Sequence, residues 1–308
     1  METIFHQGEL EVQKLTGEGH IATMIAQGGM MKSYIPTGYQ DFIESQTLVF
    51  VTSKDENNAL WVSMVSGEAG IFSIKDSQLL NIHLHKLHTS QKDILFENII
   101  TNKEIGLICI DLSTRKRVRV NGIVSISGNI LSIHVEQSYS NCPKYIQRRK
   151  PQETTLKKSN SVAFNLSGLT SEMKNWIQNA DTFFVGSAYK NNFDTSHRGG
   201  LPGFIEILDD HSLKIPDYQG NSLFNTLGNF KANPNAGLLF IDFNQNNILQ
   251  LSGKASLLFD QKEENDITRT GGTGRYWIFT IEKIIETQHH NSVEWEFIDN
   301  SPFNPKFN

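Results

Sequence analysis

The sequence feature that most constrains the fold is an internal repeat. The segment GLICIDL at 106–112 resembles GLLFIDF at 237–243, and RVRVNG at 117–122 resembles ILQLSG at 248–253. Both pairs are offset by 131 residues, from 106 to 237 and from 122 to 253. This period is too long for a solenoid repeat and matches the usual size of a domain. The spacing therefore predicts a duplicated domain of about 110–130 residues.

The repeat extends upstream with small changes in offset. GIFSIKDSQLLNI at 70–82 aligns with GFIEILDDHSLKI at 203–215, offset by 133, and TLVFVTS at 47–53 aligns with TFFVGSA at 182–188, offset by 135. The changes fall between predicted elements, where insertions are tolerated.

Each copy is predicted to consist mostly of strands. Apolar runs that end at an acidic turn residue predict buried strands, and RVRVNG alternates charged and β-branched residues before the turn pair Asn121–Gly122. One helix is predicted within each copy, at 89–102 and at 221–234, and a further helix is predicted at 170–180. Several strands with one inserted helix predict a small β-barrel in each copy and a mainly β chain.

These elements divide the chain into four parts. We expect a partly helical N-terminal extension at 1–40, a first barrel at 41–150, a linker at 151–168 and a second barrel at 169–308. The linker is expected because PQETTLKKSNS is polar and has no hydrophobic period.

Charge and composition exclude several classes of partner. The 308-residue chain has 28 basic and 33 acidic side chains, a net charge of −5, which gives no general attraction for nucleic acid. No apolar run approaches the roughly 20 residues that cross a bilayer, and the N-terminus does not resemble a signal peptide. Cys109 and Cys142 form no disulfide framework. We therefore expect a cytoplasmic protein without nucleic-acid or membrane partners.

The turn SHRGG at 196–200 is the first candidate site. A phosphate group favours a bidentate guanidinium, backbone N–H groups and hydroxyls, and Arg198 and Ser196 offer the first and the last of these. Gly199 and Gly200 are expected to adopt positive φ and to let the backbone approach an anion. The alternative is a tight hairpin whose polar residues face water.

The helix predicted from residue 221 would direct its N–H groups and positive dipole end at the same anion. Asp217, Tyr218 and Asn221 stand just before this helix. Asn225, Thr226 and Asn229 form a polar face on it, which requires either a cofactor or water as its partner.

The repeat offers an internal comparison for the turn. At the offset of 133, Arg198 corresponds to Val65, and His197 corresponds to Met64. The turn is present in both copies, whereas the anion-binding chemistry is present in one. We therefore expect one main anion site, in the second barrel, with His197 as a polar contact that titrates near neutral pH.

Longer segments resemble a known family. NCPKYIQRR at 141–149, SHRGGLPGF at 196–204 and residues 216–243 resemble the pyridoxamine 5′-phosphate oxidase-like, flavin-nucleotide-binding proteins. FHQGELEVQ at 5–13 and SPFNP at 301–305 resemble the two-barrel branch of that FMN-binding split β-barrel superfamily. The resemblance implies tandem split barrels, FMN as the cofactor and an FMN phosphate near Arg198.

The resemblance also implies where the cofactor lies. Members of the superfamily bind FMN in a groove between two barrels, usually across a homodimer, so this chain is expected to form a homodimer or an intrachain pseudo-dimer. Lys144, Tyr145 and Arg148 are candidate contacts from one barrel to the site of the other. Their alternative is a solvated basic segment.

Three further segments are weaker candidates. The histidines of HLHKLH at 83–88 could ligate a metal, but a solvent-facing loop is favoured because no carboxylate or cysteine lies at suitable spacing. We therefore expect no metal site. STRKRVRV at 113–120 is expected to form a hairpin rim, with a phosphate contact from Arg117 or Arg119 left open. GGTGRYW at 271–277 lacks the Lys and Ser or Thr of a phosphate loop and is expected to be a flexible hairpin loop.

The function implied by the resemblance is that of an FMN-binding oxidoreductase whose substrate the sequence does not name. FMN would carry the electrons, so no catalytic residue is assigned. In the family that the chain resembles, a C-terminal segment with a tryptophan and an arginine completes the substrate site of pyridoxamine 5′-phosphate oxidase. Here no arginine follows Trp295, so the resemblance does not extend to that activity. The alternative is a non-catalytic flavin-binding or small-ligand-binding module or an electron-transfer partner. A purely structural pair of domains would bind no cofactor.

Overall fold

The computed structural model describes residues 4–152, 161–290 and 293–306. Its α-helices are α1 (Gln7–Thr16), α2 (Gly19–Gln27), α3 (Thr37–Glu44), α4 (Ile94–Thr101), α5 (Ser171–Asn179), α6 (Asn225–Ala232) and α7 (Glu264–Arg269). Every helix among the described residues is too short or too polar to span a membrane.

The strands form two large antiparallel sheets. The first contains β1 (Leu48–Lys54), β2 (Leu60–Ser66), β3 (Phe72–Asp76), β4 (Leu79–His83), β5 (Glu104–Asp111), β6 (Lys116–Ser127) and β7 (Ile130–Ser140). Next come β8 (Arg148–Pro151) and β9 (Val162–Leu166). The second contains β10 (Thr182–Tyr189), β11 (Asn192–Gly199), β12 (Glu206–Ile207), β13 (Ser212–Pro216), β14 (Asn235–Asp242), β15 (Asn247–Leu258) and β16 (Tyr276–Gln288). The last strand, β17 (Trp295–Asp299), pairs with β8.

The two sheets have the same strand order. The first runs β2-β1-β5-β6-β7-β4-β3, and the second runs β11-β10-β14-β15-β16-β13-β12, with β9 added on β16. Each strand of the first sheet thus has one counterpart in the second. The mainly β fold with tandem split barrels is confirmed. The duplication of one ancestral domain stays a prediction, with which this shared order agrees.

The strand pairings of the first sheet have the same register as those of the second sheet. Each sheet contains a corresponding triplet of paired residues: Cys109–Val49–Val65 in the first and Phe240–Phe183–Arg198 in the second. Arg198 therefore occupies the place that Val65 occupies in the first barrel, as the repeat predicts.

The two barrels pack against each other within the chain. Phe50 and Phe184, which are counterparts, stack with their ring centroids 3.4 Å apart at the centre of a shared apolar core. Two glycines let backbones approach across the interface. A Cβ on Gly106 would lie 2.2 Å from the carbonyl oxygen of Phe193, and one on Gly237 would lie 2.7 Å from that of Leu60.

Three local predictions differ from the structure. The helix predicted at 221–234 begins only at Asn225, because Ser222 and Phe224 have φ values of 60° and 61°, which a right-handed helix cannot accommodate. The helix predicted at 89–102 begins at Ile94, where the Asp93 carboxylate caps it. Part of the predicted linker is strand β9, and the linker residues 153–160 lie outside the described residues.

The histidine segment at 83–88 ends β4 and continues as a short 3-10 turn at Leu84–Lys86. His83 bonds to the hydroxyl of Ser73 at 2.8 Å. Among the described residues there is no group of three or more His, Cys, Asp or Glu side chains placed to hold a metal ion.

Candidate functional site

A cavity lies between the two barrels, at the start of α6. It is lined by residues of β6, the 141–145 segment, the end of β11, the loop between β13 and α6, and the first turn of α6. Its volume is about 100 Å³. Pockets that enclose a whole small-molecule ligand measure about 300–1,000 Å³. The cavity itself thus has room for a phosphate-sized group, and a larger ligand would extend through its mouth.

Most of the residues predicted for the site line this cavity. They are Lys144, Tyr145, His197, Arg198, Gly199, Asp217, Tyr218, Asn221, Asn225 and Thr226. Four predicted residues are not among its lining residues: Ser196, Gly200, Asn229 and Arg148. Ser196 lies immediately behind the lining, where its hydroxyl bonds to that of Thr226 at 2.9 Å.

The cavity is strongly basic. Arg117 and Arg119 of β6 line it together with Arg198 and Lys144, against one lining carboxylate, Asp217. Four cations in one small cavity contrast with the net charge of −5 of the whole chain. The two strand arginines, which the sequence left open as phosphate contacts, are therefore part of the site.

Several buried donors in this cavity lack a partner within the part of the chain that the structure describes. The Nε atoms of Arg117, Arg119 and Arg198 are buried and make no hydrogen bond. Both ring nitrogens of His197 are also buried without a partner, and one of them carries the N–H of the ring. Unpartnered buried donors are costly, and they are expected where a ligand or water supplies the acceptors. The donor set fits an oxyanion such as a phosphate group.

The arginines also repel one another. Burial and, to a smaller extent, the nearby charges of Arg119 and Arg198 together lower the pKa of Arg117 to about 9. Burial lowers the pKa of Arg198 as well, and Asp217 opposes this shift. A bound anion would relieve the repulsion between these cations.

His197 is neutral at physiological pH. Burial, followed by the charges of Arg117, Arg198 and Arg149, lowers its pKa well below the ordinary value of 6.5. The expectation that His197 titrates near neutral pH is therefore wrong. Its ring packs edge-on against Phe184 with the centroids 5.5 Å apart.

The first turn of α6 faces the same cavity. Asn225, Thr226 and Leu227 line it, and no side chain caps the helix at its N-terminus. The first N–H groups of a helix lack partners within the helix and carry a partial positive charge. This end of α6 therefore adds to the attraction of the arginines for an anion.

The polar face of α6 has a partner that the sequence did not indicate, the N-terminal helix α1. Asn225 donates to Glu9 at 2.6 Å, and His6 donates to Asn229 at 3.0 Å. The backbones meet closely, since a Cβ on Gly8 would lie 2.2 Å from the Gly228 carbonyl oxygen. From the sequence, a cofactor or water was the expected partner of this face, whereas in the structure helix α1 covers it.

The contact between α1 and α6 buries a carboxyl group, and this gives a prediction. Burial, with a smaller contribution from the charge of Asp194, raises the pKa of Glu9 from 4.5 to about 7. The folded protein thus keeps a proton that the unfolded chain releases, so this stability is complete below pH 4.5 and is lost as the pH rises through about 7. Between about pH 5 and pH 8, the unfolding free energy of wild type should fall relative to that of Glu9→Gln by on the order of 2 kcal/mol.

Urea unfolding at a series of pH values measures this difference. Glu11→Gln is the matched control, because Glu11 lies on the same helix and makes an exposed hydrogen bond to Gln7. Its pH profile should run parallel to that of wild type. A parallel profile for Glu9→Gln would contradict the assignment of a buried, protonated carboxyl group.

The turn predicted at 196–200 is wrong, because residues 196–199 are the end of strand β11 and pair with β10. Gly199 and Gly200 do not have the positive φ that was expected of them; the nearest positive φ after them is at Gly203, at 83°. Both are required for close packing instead. A Cβ on Gly199 would lie 2.1 Å from the carbonyl oxygen of Tyr145, and one on Gly200 would lie 2.5 Å from the ring of Phe204. Gly199 thus leaves room for the 141–145 segment, which crosses from the first barrel, and Gly200 leaves room for Phe204.

That crossing segment brings two of its three predicted residues to the cavity. Tyr145 packs against Tyr218 with ring centroids 5.0 Å apart and donates to the Gln219 carbonyl oxygen at 3.0 Å. Lys144 also lines the cavity. Arg148 instead pairs with Asp299 of β17, away from the lining.

Sequence reasoning missed Arg275 and Glu18. Arg275 lies in the segment predicted as a flexible hairpin loop, yet it is buried and pairs with Asp217 at 3.1 Å and with Glu18 at 2.8 Å. No local signal indicates these pairs, since the three residues are far apart in the sequence. The buried pairing could be inferred only from the fold.

The corresponding place in the first barrel lacks this chemistry. Four of the five basic or imidazole side chains that line the cavity have a neutral aliphatic, thioether or amide counterpart: Ile248 for Arg117, Gln250 for Arg119, Met64 for His197 and Val65 for Arg198. The backbone frame is nevertheless the same, because Gln250 donates to Ser63 as Arg119 donates to Ser196.

Protein side chains fill that corresponding place. Asp93 accepts a hydrogen bond from Ser63 at 2.5 Å, and His290 donates to the Met64 carbonyl at 2.9 Å. Burial raises the pKa of Asp93 and lowers that of His290, while their mutual attraction opposes both shifts. Of the two matched places, the arginine-lined cavity is thus the one suited to an anion.

Comparisons with known proteins find a family match in the second barrel. Residues 169–284 match the family model described as pyridoxamine 5′-phosphate oxidase. This match confirms the family resemblance over the stretch that contains β11, α6 and the 216–224 loop. No curated protein sequence matches the chain.

Among solved structures, HupZ of Group A Streptococcus is 17% identical over 38% of this chain and 91% of its own, with a TM-score of 0.32. General stress protein 26 of Bacillus anthracis is 14% identical over 41% of this chain and 96% of its own, with a TM-score of 0.28. An FAD-binding protein of Mesorhizobium loti is 10% identical over 42% and 99%, with a TM-score of 0.29. At such scores no functional conclusion about this chain follows from these likenesses.

Proposed function

We propose, on the premise that residues 169–284 belong to the pyridoxamine 5′-phosphate oxidase family, that the chain is an FMN-dependent oxidoreductase with one flavin site. The flavin phosphate would occupy the cavity lined by Arg117, Arg119 and Arg198. The observation that carries this proposal is the set of buried guanidinium Nε atoms without acceptors around that cavity.

The residues present fit the phosphate end of a flavin nucleotide. Arg198 and the two arginines of β6 offer charge-assisted hydrogen bonds, and the N-terminus of α6 offers backbone N–H groups. The volume of about 100 Å³ suits the phosphate, so the rest of the nucleotide would extend out of the cavity.

The two barrels of one chain would serve as the two halves of the site. Arg117 and Arg119 come from the first barrel, whereas Arg198 and α6 come from the second. A bound FMN would supply the electron-transfer chemistry, and the protein would hold it and control access to it. We infer that an intrachain pseudo-dimer suffices for the site, in a protein that we place in the cytoplasm.

The substrate is inferred to differ from pyridoxamine 5′-phosphate. Within the described part of the C-terminal segment, Trp295 packs edge-on against Phe243 at 5.4 Å, and neither residue lines the arginine cavity. The C-terminal tryptophan therefore takes no part in this cavity.

Titration of the purified protein with FMN, followed by absorbance and by equilibrium dialysis, tests the proposal. We expect one FMN per chain, because the corresponding place in the first barrel lacks the arginines and contains Asp93 and His290, bonded to Ser63 and Met64. Two FMN per chain would contradict the single site, and no binding would overturn the proposal.

Reduction of the bound flavin by NADH or NADPH then separates an enzyme from a binding module. An oxidoreductase should show bleaching of the flavin band by one of these donors, followed by reoxidation with an acceptor. Tight binding with no reduction by either nicotinamide or by dithionite-poised mediators would favour the non-catalytic module.

A further inference from the structure

The cavity contains one carboxylate group, whose charge opposes the binding of an anion. Asp217 lines the cavity beside Arg198, with its Oδ1 3.8 Å from an Nη of that arginine. A free carboxylate at this position would repel a phosphate and would compete with it for Arg198. Some other group must therefore hold Asp217.

Arg275 is that group. Its Nε contacts Asp217 Oδ2 at 3.1 Å, which is closer than the contact from Arg198 to the same carboxylate. The side chain of Arg275 is 7% exposed and that of Arg198 is 26% exposed. The buried arginine thus binds the carboxylate from behind, and the more exposed arginine remains directed at the cavity.

Glu18 fixes Arg275 in turn. Its Oε1 lies 2.8 Å from Arg275 Nη1, and its Oε2 accepts hydrogen bonds from Gln219 and Ser222. Both of these residues belong to the loop between β13 and α6. Glu18, which lies between α1 and α2, therefore fixes both Arg275 and the loop that forms part of the cavity wall.

The guanidinium of Arg275 also lies 5.2 Å from the ring centroid of Phe224, the residue that precedes α6. Phe224 has a φ of 61°, an unfavourable value for a residue with a side chain. The packing of Arg275 on this ring connects the carboxylate, the loop and the start of the helix in one arrangement.

We propose that Arg275 is a positioning residue that, anchored by Glu18, keeps Asp217 engaged and so leaves Arg198 available to the anion. Charges alternate in sign along the series Glu18, Arg275, Asp217 and Arg198. The inference rests on the proposed phosphate site, and it adds a role for a residue that does not line the cavity. Without Arg275, Asp217 would turn to Arg198 and form the closer ion pair there.

Binding of inorganic phosphate and of FMN to four proteins tests this role: wild type, Arg275→Gln, Asp217→Asn and the double variant. We expect Arg275→Gln to weaken binding of both probes by about tenfold, a typical coupling between charged neighbours. The double variant should recover to within about threefold of wild type, because it has no carboxylate left to compete for Arg198.

A merely structural role would give a different pattern. Loss of Arg275 would then lower the melting temperature, and Asp217→Asn would not restore the affinity for phosphate. Melting temperatures are therefore measured for all four proteins. Arg275→Lys provides a second background if Arg275→Gln does not fold; it should lose about threefold in affinity and be rescued by Asp217→Asn in the same way.

The outcomes separate the two proposals. Rescue by Asp217→Asn supports the positioning role. Weak binding without rescue, or unchanged binding in both Arg275 variants, overturns that role while the phosphate site stands. Failure of wild type to bind either phosphate or FMN overturns the proposed function and this inference with it.

Discussion

Replacement of Arg198 by valine, the residue at the matched place in the first barrel, should weaken FMN binding by about 100-fold. The change removes a guanidinium whose Nε is buried without a partner and whose charge faces the cavity. Charge-assisted hydrogen bonds contribute about 1.5–3 kcal/mol each, and 2.8 kcal/mol corresponds to about 100-fold in affinity. Quenching of FMN fluorescence on titration measures the dissociation constant directly.

A second experiment shows whether the phosphate is the group that Arg198 binds. Riboflavin lacks the phosphate, so its affinity should be much weaker than that of FMN for wild type and nearly the same for wild type and Arg198→Val. If Arg198→Val weakens FMN and riboflavin equally, the arginine does not contact the phosphate.

Arg148→Gln is the matched control for the loss of a positive charge. Arg148 pairs with Asp299 outside the lining of the cavity, and its side chain is 36% exposed. Exposed ion pairs contribute little, so its FMN affinity should stay within about twofold of wild type. A loss equal to that of Arg198→Val would mean that general charge, and not the cavity, determines binding.

The sequence predicted the barrels because strand signals are local. Apolar runs, turn pairs and the repeat aligned most strands, and the register in the two sheets agrees with the offset of 133 residues that aligns Val65 with Arg198. The alignment of 47–53 with 182–188 was wrong by one residue, because the register makes Phe183, and not Phe184, the counterpart of Val49. The helix at 170–180 was also predicted closely, since its cap at Thr170 and its apolar face are both local features.

The sequence failed where a contact joins distant parts of the chain. The polar face of α6 was recognised, but its partners Glu9 and His6 lie more than 200 residues away. A polar helical face has the same pattern whether a ligand, water or another helix covers it. Only the docking of α1 distinguishes these alternatives.

Gly199 and Gly200 show a second limit of prediction from the sequence. Gly199 and Gly200 suggested positive φ and an anion nearby, whereas their lack of a Cβ accommodates Tyr145 and Phe204. A glycine is compatible with either requirement, and the sequence contains no information on which one applies. The basic residues Arg117, Arg119 and Arg198 indicated the lining of the cavity better than the glycines did, since all three line it.

Replacement of Phe184 by alanine should lower the free energy of unfolding by about 3–5 kcal/mol. Phe184 is fully buried, and its ring stacks on Phe50 across the two barrels with the centroids 3.4 Å apart. The variant leaves a cavity in the core that the barrels share, and it removes the edge contact to His197. Urea unfolding monitored by tryptophan fluorescence measures the loss.

Phe164→Ala is the control for removal of a phenyl ring, because Phe164 on β9 is 44% exposed and its loss should cost less than about 1 kcal/mol. Equal losses in the two variants would contradict a shared core centred on Phe184. Since Arg117 and Arg119 reach the cavity from one barrel and Arg198 from the other, loosening this core should also weaken FMN binding in the folded variant. An FMN affinity equal to that of wild type would mean that the cavity does not depend on how the two barrels are held together.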